Sequence, residues 1–336
     1  MKQIEVSAFG LENLKLVEAP EPSQPKANQV LVRMRAASLN FRDHLVVTGK
    51  YNPKFPLPLI PCSDGAGEVV AIGEEVTEFK LGDRVLATFA PDWIAKEATH
   101  AEMRNTIGGP LPGTLREYAI FPDTGLVKIP AHLSYEEAST LPCAALTAWS
   151  SFHTFSHLLP GQTVVVQGTG GVSIFALQFA KLAGAITILT SSSADKLERG
   201  RELGADHLIN YKEIEAWGTE VRRITNKFGV DHIIEVGGAG TLEQSIIACK
   251  PFGVIHLIGI LAGRSGELNL LPVVMNNIRV QGIVVGGRKA FIQMNQAIEA
   301  SKMKPIIDKI FPIEETKEAI TYLKSGSHFG KIVIKI

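Results

Sequence analysis

Residues 163–211 confine the fold of this chain more tightly than any other stretch. TVVVQ (163–167) is a short β-branched run, and the glycine turn GTGGVS (168–173) follows it directly. IFALQFAKLA (174–183) then reads as a helix closed by Gly184, and AITILT (185–190) as a second apolar run. Such runs, rich in Val, Ile and Thr and bounded by turn residues, are the pattern of buried parallel strands. Strand, glycine turn, helix and strand within about 30 residues make a βαβ unit of the dinucleotide-binding kind.

The turn has its own physical logic. Gly168 permits a sharp exit from the strand, because glycine takes positive φ at little cost. Gly170 lets backbone approach a pyrophosphate, whose charge would rest on the amides that open the helix. The phosphates are therefore expected on Gly168, Thr169, Gly170, Gly171 and Val172. The third fingerprint position is Ser173 rather than Gly or Ala, a departure that a small residue tolerates. The bland alternative is an ordinary strand-to-helix turn.

The end of the second strand bears on which nucleotide is taken. Selectivity for NAD usually places Asp or Glu there to bind the ribose hydroxyls. This chain has Ser191, Ser192 and Ser193, followed by Lys196. No carboxylate would repel a 2′-phosphate, the hydroxyls can donate to one, and Lys196 adds a charge. Tyr211, in HLINYK, is placed to close over the same phosphate. NADP(H) is thus expected over NAD(H). Ser192 and Ser193 also suit a helix cap before DKLERGREL, and both roles can hold together.

Composition adds boundaries. A chain of 336 residues has length for two domains, and its 34 basic and 34 acidic residues cancel. No Lys/Arg-rich run suggests a nucleic-acid surface. Three cysteines (Cys62, Cys143, Cys249) at unrelated spacings point to a reducing compartment rather than a disulfide framework. MKQIEVSAFG is polar and strand-like, unlike a signal segment, and no apolar run has the length of a membrane span. A cytoplasmic protein with no membrane partner is the expectation.

Residues 1–125 differ in texture from the centre. IEVSAF, LKLVEAP, VLVRMRAASLN, PCSDGAGEVVAIG, GDRVLATF, REYAIF and LVKIP read as short strands with Gly and Pro punctuation, hence a β-rich domain. SYEE (134–137) is a capping box that starts a helix. VDHIIEV, a helix near 241–249, GVIHLIGI and RVQGIVVGG continue the alternation of buried strand and helix, which implies a doubly wound parallel sheet. GKIVIKI (330–336) resembles the first domain again. The expected division is 1–125 completed by 288–336, with the nucleotide domain over 126–287 and the default active site in the cleft between them.

The chain resembles the medium-chain dehydrogenase/reductase superfamily, in its zinc-independent, quinone-oxidoreductase-like branch. The resemblance spans nearly the whole length and rests on SLNFRDHLVVTGKY (38–51), PLIPCSDGAGEVVAIG (58–73), GDRV (82–85), LPCAALTAW (141–149), GTGGVS, LGADHLINY (203–211) and HFGKIVI (328–334). It implies an α/β protein with a GroES-like β-rich catalytic domain and a Rossmann domain. It also implies that Thr147 packs against the nicotinamide, that Gly259 and Ile260 run past it, and that Lys331 reaches the pyrophosphate. Relatives pair strands like RVQGIVVGG across a two-fold axis, so a homodimer is expected.

The departures from the zinc enzymes of this family carry the chemistry. Their catalytic metal is held by a Cys, a His or Glu, and a second Cys; the matching positions here are Asn40, Ser63 and Cys143. A catalytic zinc needs three protein ligands, and the region 90–114 lacks the four cysteines of the structural zinc. A Cys62/Cys143 pair is the weaker metal alternative. His153 and His157 lie four residues apart with no third ligand nearby and read as a helix face. Without zinc, hydride transfer to an acceptor that is already electrophilic, a quinone or an α,β-unsaturated carbonyl, is the accessible reaction. By resemblance Asn40 faces nicotinamide and substrate and can donate to the oxyanion, while Tyr51 stands at the substrate mouth. Asp43 reads as a structural turn carboxylate. A zinc-free alcohol dehydrogenase and an enoyl-thioester reductase are the rival enzymes, although no arginine cluster for a CoA phosphate is evident. A nucleotide-binding protein without turnover is the rival of another class.

Overall fold

The computed structural model describes residues 1–336. The first strands along the chain are β1 (Lys2–Val6), β2 (Leu14–Glu18), β3 (Gln29–Leu39), β4 (Asp64–Ile72), β5 (Arg84–Ala87), β6 (Tyr118–Pro122) and β7 (Leu126–Lys128). Then come β8 (Thr163–Gln167), β9 (Ile186–Ser191), β10 (His207–Asn210), β11 (Val230–Glu235), β12 (Cys249–Leu257) and β13 (Arg279–Gly282). β14 (Ile307–Pro312) and β15 (Lys331–Lys335) close the chain. The polypeptide divides into two compact units, Met1–Leu146 with Gly286–Ile336, and Thr147–Val285.

The first unit is β-rich. Its main sheet runs β14-β15-β3-β4-β5-β7, with β6 also on β3, and β1 and β2 form a separate hairpin. β3 is its spine, because VLVRMRAASL alternates so that Val30, Val32 and Met34 turn into one core with Val69, Val85 and Phe121. Each such aliphatic side chain withdrawn from water contributes roughly 1.5–3 kcal/mol. GKIVIKI does return to this unit, since Ile332 pairs with Leu39 and Lys335 with Ala36. The helix at Tyr135–Ser139 opens with both bonds of the capping box, between Ser134 and Glu137.

The second unit carries six parallel strands in the order β10-β9-β8-β11-β12-β13. The chain moves outward from β8 to β10, then restarts on the other side with β11. The order therefore reverses between β8 and β11, which is the switch point of a doubly wound sheet. Val165, Ile188, Ile233 and Ile255 fill its core.

Three expectations shift. The boundary falls after residue 146 rather than 125, because β7 pairs with β5 of the first sheet and brings the following helix with it. RVQGIVVGG is not a buried strand: only Arg279–Gly282 joins the sheet, at its β13 edge, and Val280 is substantially exposed. His153 lies in a π-turn (Ser150–Thr154) with its ring 4.0 Å from Trp149, and His157 falls outside it, so the two share no regular helix face. No helix is long and apolar enough to cross a membrane.

Candidate active site

The glycine turn sits at the carboxyl end of β8. Gly168 adopts φ 72°, the conformation that the turn required of it. The helix Gly171–Leu182 begins with Gly170 as its cap and no side chain bonded to its first amides. A Cβ built on Gly170 would meet nothing within 4 Å, so open space borders these donors. An anion fits such a place. Ser173, the departure from the fingerprint, donates from its hydroxyl to the carbonyl of Gln167 at 2.6 Å, which ties helix to strand where a third glycine would let them pack closer.

At the end of β9, Ser191 is buried, Ser192 is exposed, and Ser193 caps the helix Ala194–Glu202 by accepting from the amide of Lys196. The cap reading holds for Ser193. Tyr211 follows β10 and donates its amide to the carbonyl of Ser191 at 3.1 Å, so these two expected nucleotide residues are neighbours. Thr147 is buried and donates to the carbonyl of Val284 at 3.4 Å. Gly259 has no room for a side chain, the carbonyl of Val236 lying 2.2 Å from where a Cβ would stand, and Ile260 beside it is exposed.

One residue of this unit escaped the sequence reading. Glu235 ends β11 fully buried and accepts from Gln167 Nε2 at 2.6 Å, Ser245 Oγ at 2.5 Å, Thr241 Oγ1 at 2.5 Å, and the amides of Gly237 and Gly238. The signal was available: an acid at the end of the apolar run VDHIIE is seldom buried without partners.

In the β-rich unit, Asn40 caps the short helix Phe41–Val47, and Asp43 completes a capping box by accepting from the Asn40 amide at 2.7 Å. Asp43 is thus structural, as expected. Asn40 Oδ1 accepts from the ammonium of Lys331 at 2.6 Å, and Lys331 also donates to the carbonyl of Leu39. Asp64 Oδ2 lies 4.0 Å from the same ammonium and accepts from the amide of Cys143, while Ser63 donates to Asp64 Oδ1 at 2.7 Å. Tyr51 is partly exposed with its ring under the Arg42 guanidinium at 5.1 Å, and Arg42 spans to Thr106, Ile107 and Gly109.

Lys331, expected to reach the pyrophosphate, has 2% of its surface exposed and donates to Leu39 and Asn40 inside the β-rich unit. The first residue of β15 faces the end of β3 and receives those acceptors.

The amino-terminal part, residues 26–131, matches the alcohol dehydrogenase GroES-like domain, and residues 171–300 match the zinc-binding dehydrogenase domain. A zinc-type alcohol dehydrogenase-like protein of Schizosaccharomyces pombe is 42% identical over 333 residues, 97% of this chain and 96% of its own. The chain belongs to the medium-chain dehydrogenase/reductase superfamily. Among solved structures, an NAD-dependent alcohol dehydrogenase superposes with TM-score 0.92 at 32% identity, covering both chains in full. The quinone oxidoreductase of Coxiella burnetii superposes with TM-score 0.81 at 26% identity, covering 100% of this chain and 99% of its own. This medium-chain dehydrogenase/reductase is an oxidoreductase, and its GroES-like and Rossmann parts are those that the sequence motifs implied.

Electrostatics distinguish its buried acids. Burial pushes the Asp43 carboxyl up to about 6 against the pull of Arg42. Burial likewise raises Asp64, with the Lys331 charge opposing. The thiols of Cys62 and Cys143 are pushed up by burial, away from thiolate character. No group of three or more His, Cys, Asp or Glu side chains is arranged to hold a metal. At the three family positions, Asn40 accepts from an ammonium, Ser63 is bonded to Asp64, and Cys143 alone is a candidate ligand. This donor set does not fit a catalytic zinc.

Proposed function

We propose that this medium-chain dehydrogenase/reductase transfers hydride from NADPH to a quinone or an α,β-unsaturated carbonyl without zinc. The observation that carries the reading is the ammonium of Lys331 on Asn40, a cation at the position where the zinc enzymes of the family place a metal ligand. A polarising divalent ion beside that ammonium is unfavourable, so the acceptor must be electrophilic on its own.

NADPH would supply the hydride. The amides of Gly168–Val172 hold its pyrophosphate, and Ser191, Ser192, Lys196 and Tyr211 receive the 2′-phosphate. Thr147, Gly259 and Ile260 border the nicotinamide. Asn40 donates to the developing oxyanion, its amide oriented by Lys331, and Tyr51 bonds the acceptor at the substrate mouth. Lys331 then acts through Asn40 rather than on the pyrophosphate. The exposed β13 edge supports pairing with a second copy of the chain.

The test is anaerobic NADPH consumption with a small 1,4-quinone, with NADH as control and a simple enone as second acceptor, together with metal analysis. Turnover that prefers NADPH, with well under one zinc per chain, is expected. Stoichiometric zinc, or oxidation of simple alcohols as the main activity, overturns the reading in favour of alcohol dehydrogenation. Tight NADPH binding without turnover on any acceptor class favours the non-catalytic role.

A further inference from the structure

We infer that Glu235 is a positioning residue that sets the nicotinamide half of the bound dinucleotide, and only that half. The inference rests on the dinucleotide reading above. It starts from topology: Gln167 ends β8 and Glu235 ends β11, the two strands on either side of the reversal in strand order. A dinucleotide crosses a doubly wound sheet at that point. The Gln167–Glu235 hydrogen bond of 2.6 Å therefore spans the floor of the crossing.

Glu235 then fixes what lies on the β11 side. Oε1 takes the amides of Gly237 and Gly238 and the hydroxyl of Thr241, curling residues 236–241 around one oxygen. Oε2 takes Gln167 and Ser245. The curled loop is zipped to the loop after β12, with Ala262 donating to Gly237, Leu261 to Val236 and Ala239 to Gly263. Backbone meets backbone so closely that a Cβ on Gly238 would stand 2.6 Å from the Gly263 carbonyl. Gly259 and Ile260 belong to this assembly, and the adenosine end at Ser191 and Tyr211 lies across β8 with no bond to Glu235.

Only an acceptor on both lobes satisfies the arrangement. A glutamine at 235 must turn its NH2 either toward the amides of Gly237 and Gly238 or toward the NH2 of Gln167, donor against donor. The loops would then loosen on the nicotinamide side while the serine end stays intact.

The experiment compares two ligands on Glu235→Gln: NADPH, which uses both halves, and 2′,5′-ADP, which uses only the adenosine end. Losing a buried acceptor is expected to weaken NADPH by about tenfold or more and to leave 2′,5′-ADP within about twofold. Ser245→Ala, which removes one donor and keeps the carboxylate, should shift NADPH in the same sense by less, and it serves if Glu235→Gln fails to fold. Equal weakening of both ligands shows a merely structural role and overturns the inference, as does no change in either. Wild-type protein that binds neither ligand removes the dinucleotide reading itself, a failure distinct from any effect of the variants.

Discussion

Glu235 in the parallel-sheet unit and the Asp43–Asp64–Lys331 cluster in the β-rich unit both bury carboxylates, yet they are satisfied in different ways. Glu235 faces donors alone, and its two oxygens share five hydrogen bonds. In the other unit the Lys331 ammonium stands 4.0 Å from Asp64, Asp43 Oδ1 has no hydrogen bond, and the nearest cation to it, Arg42, stands at 4.0 Å. Burial lifts both of these carboxyls. A saturated network has one low-energy arrangement and suits a scaffold. An undersaturated one keeps charge and proton affinity in play, which suits a place where charge develops during a reaction.

The sharpest way to break this contrast is Lys331→Met. Removing the ammonium leaves Asp64 buried without its cation, and stability to urea should fall by about 3–5 kcal/mol. The double variant with Asp64→Asn should recover part of that loss. A loss below about 1 kcal/mol would mean that the cluster does not depend on its lysine.

Acid separates the two units next. His232 and His256 face each other in the parallel sheet at 3.1 Å, and burial pushes them down to about 4 and about 3 from an ordinary 6.5. A depressed histidine contributes stability that is present above 6.5 and lost as pH falls toward the folded value, on the order of 3 kcal/mol for such a shift. Asp43 has the opposite sign: its raised carboxyl favours the fold below about 3.8 and loses that contribution as pH rises through about 6. Between pH 6 and 4, hydrogen exchange should therefore accelerate in β11 and β12 while β3 and β4 stay protected. Uniform acceleration would dissolve the distinction, and His256→Phe should suppress it.

Gly170→Val probes the open space beside the glycine turn. The extended backbone there accepts any residue, and a Cβ meets nothing, so the melting temperature should hold. NADPH affinity should drop about 100-fold, close to 2.7 kcal/mol, as measured by nucleotide fluorescence. A stable variant that still binds tightly would move the phosphates elsewhere. The smallest effect belongs to Ser191→Asp, which should weaken NADPH about tenfold more than NADH. Equal weakening would remove the serines from nucleotide choice.

Much of the parallel-sheet unit was legible in the sequence, because each strand is a compact Val/Ile run and the turn chemistry of Gly168 is local. Partnership was not. Residues 126–146 read as strand and helix in either unit, and only the pairing of β7 with β5 assigns them. Lys331 shows why the candidate site was harder to read than the fold. Lys331 and Lys335 stand four apart on one strand with the same side-chain parity, yet one is buried and the other exposed. Alternation assigns a face; whether the end of another strand covers that face is tertiary information. β13 was overestimated for a related reason, since IVVGG is apolar enough for a strand and lacks a sheet partner beyond Gly282.

The place of β15 between β14 and β3 has a consequence for synthesis on the ribosome. β3, Asn40, Asp43 and Asp64 emerge early, and the whole parallel-sheet unit is translated before the strand that completes their sheet. Their countercharge, Lys331, opens β15 and follows the whole parallel-sheet unit along the chain. Until it arrives, the first unit holds buried acids with no lysine beside them and an open strand edge on β3. The parallel-sheet unit, whose residues are contiguous, can fold as soon as they leave the exit tunnel. The unit made first is the one finished last.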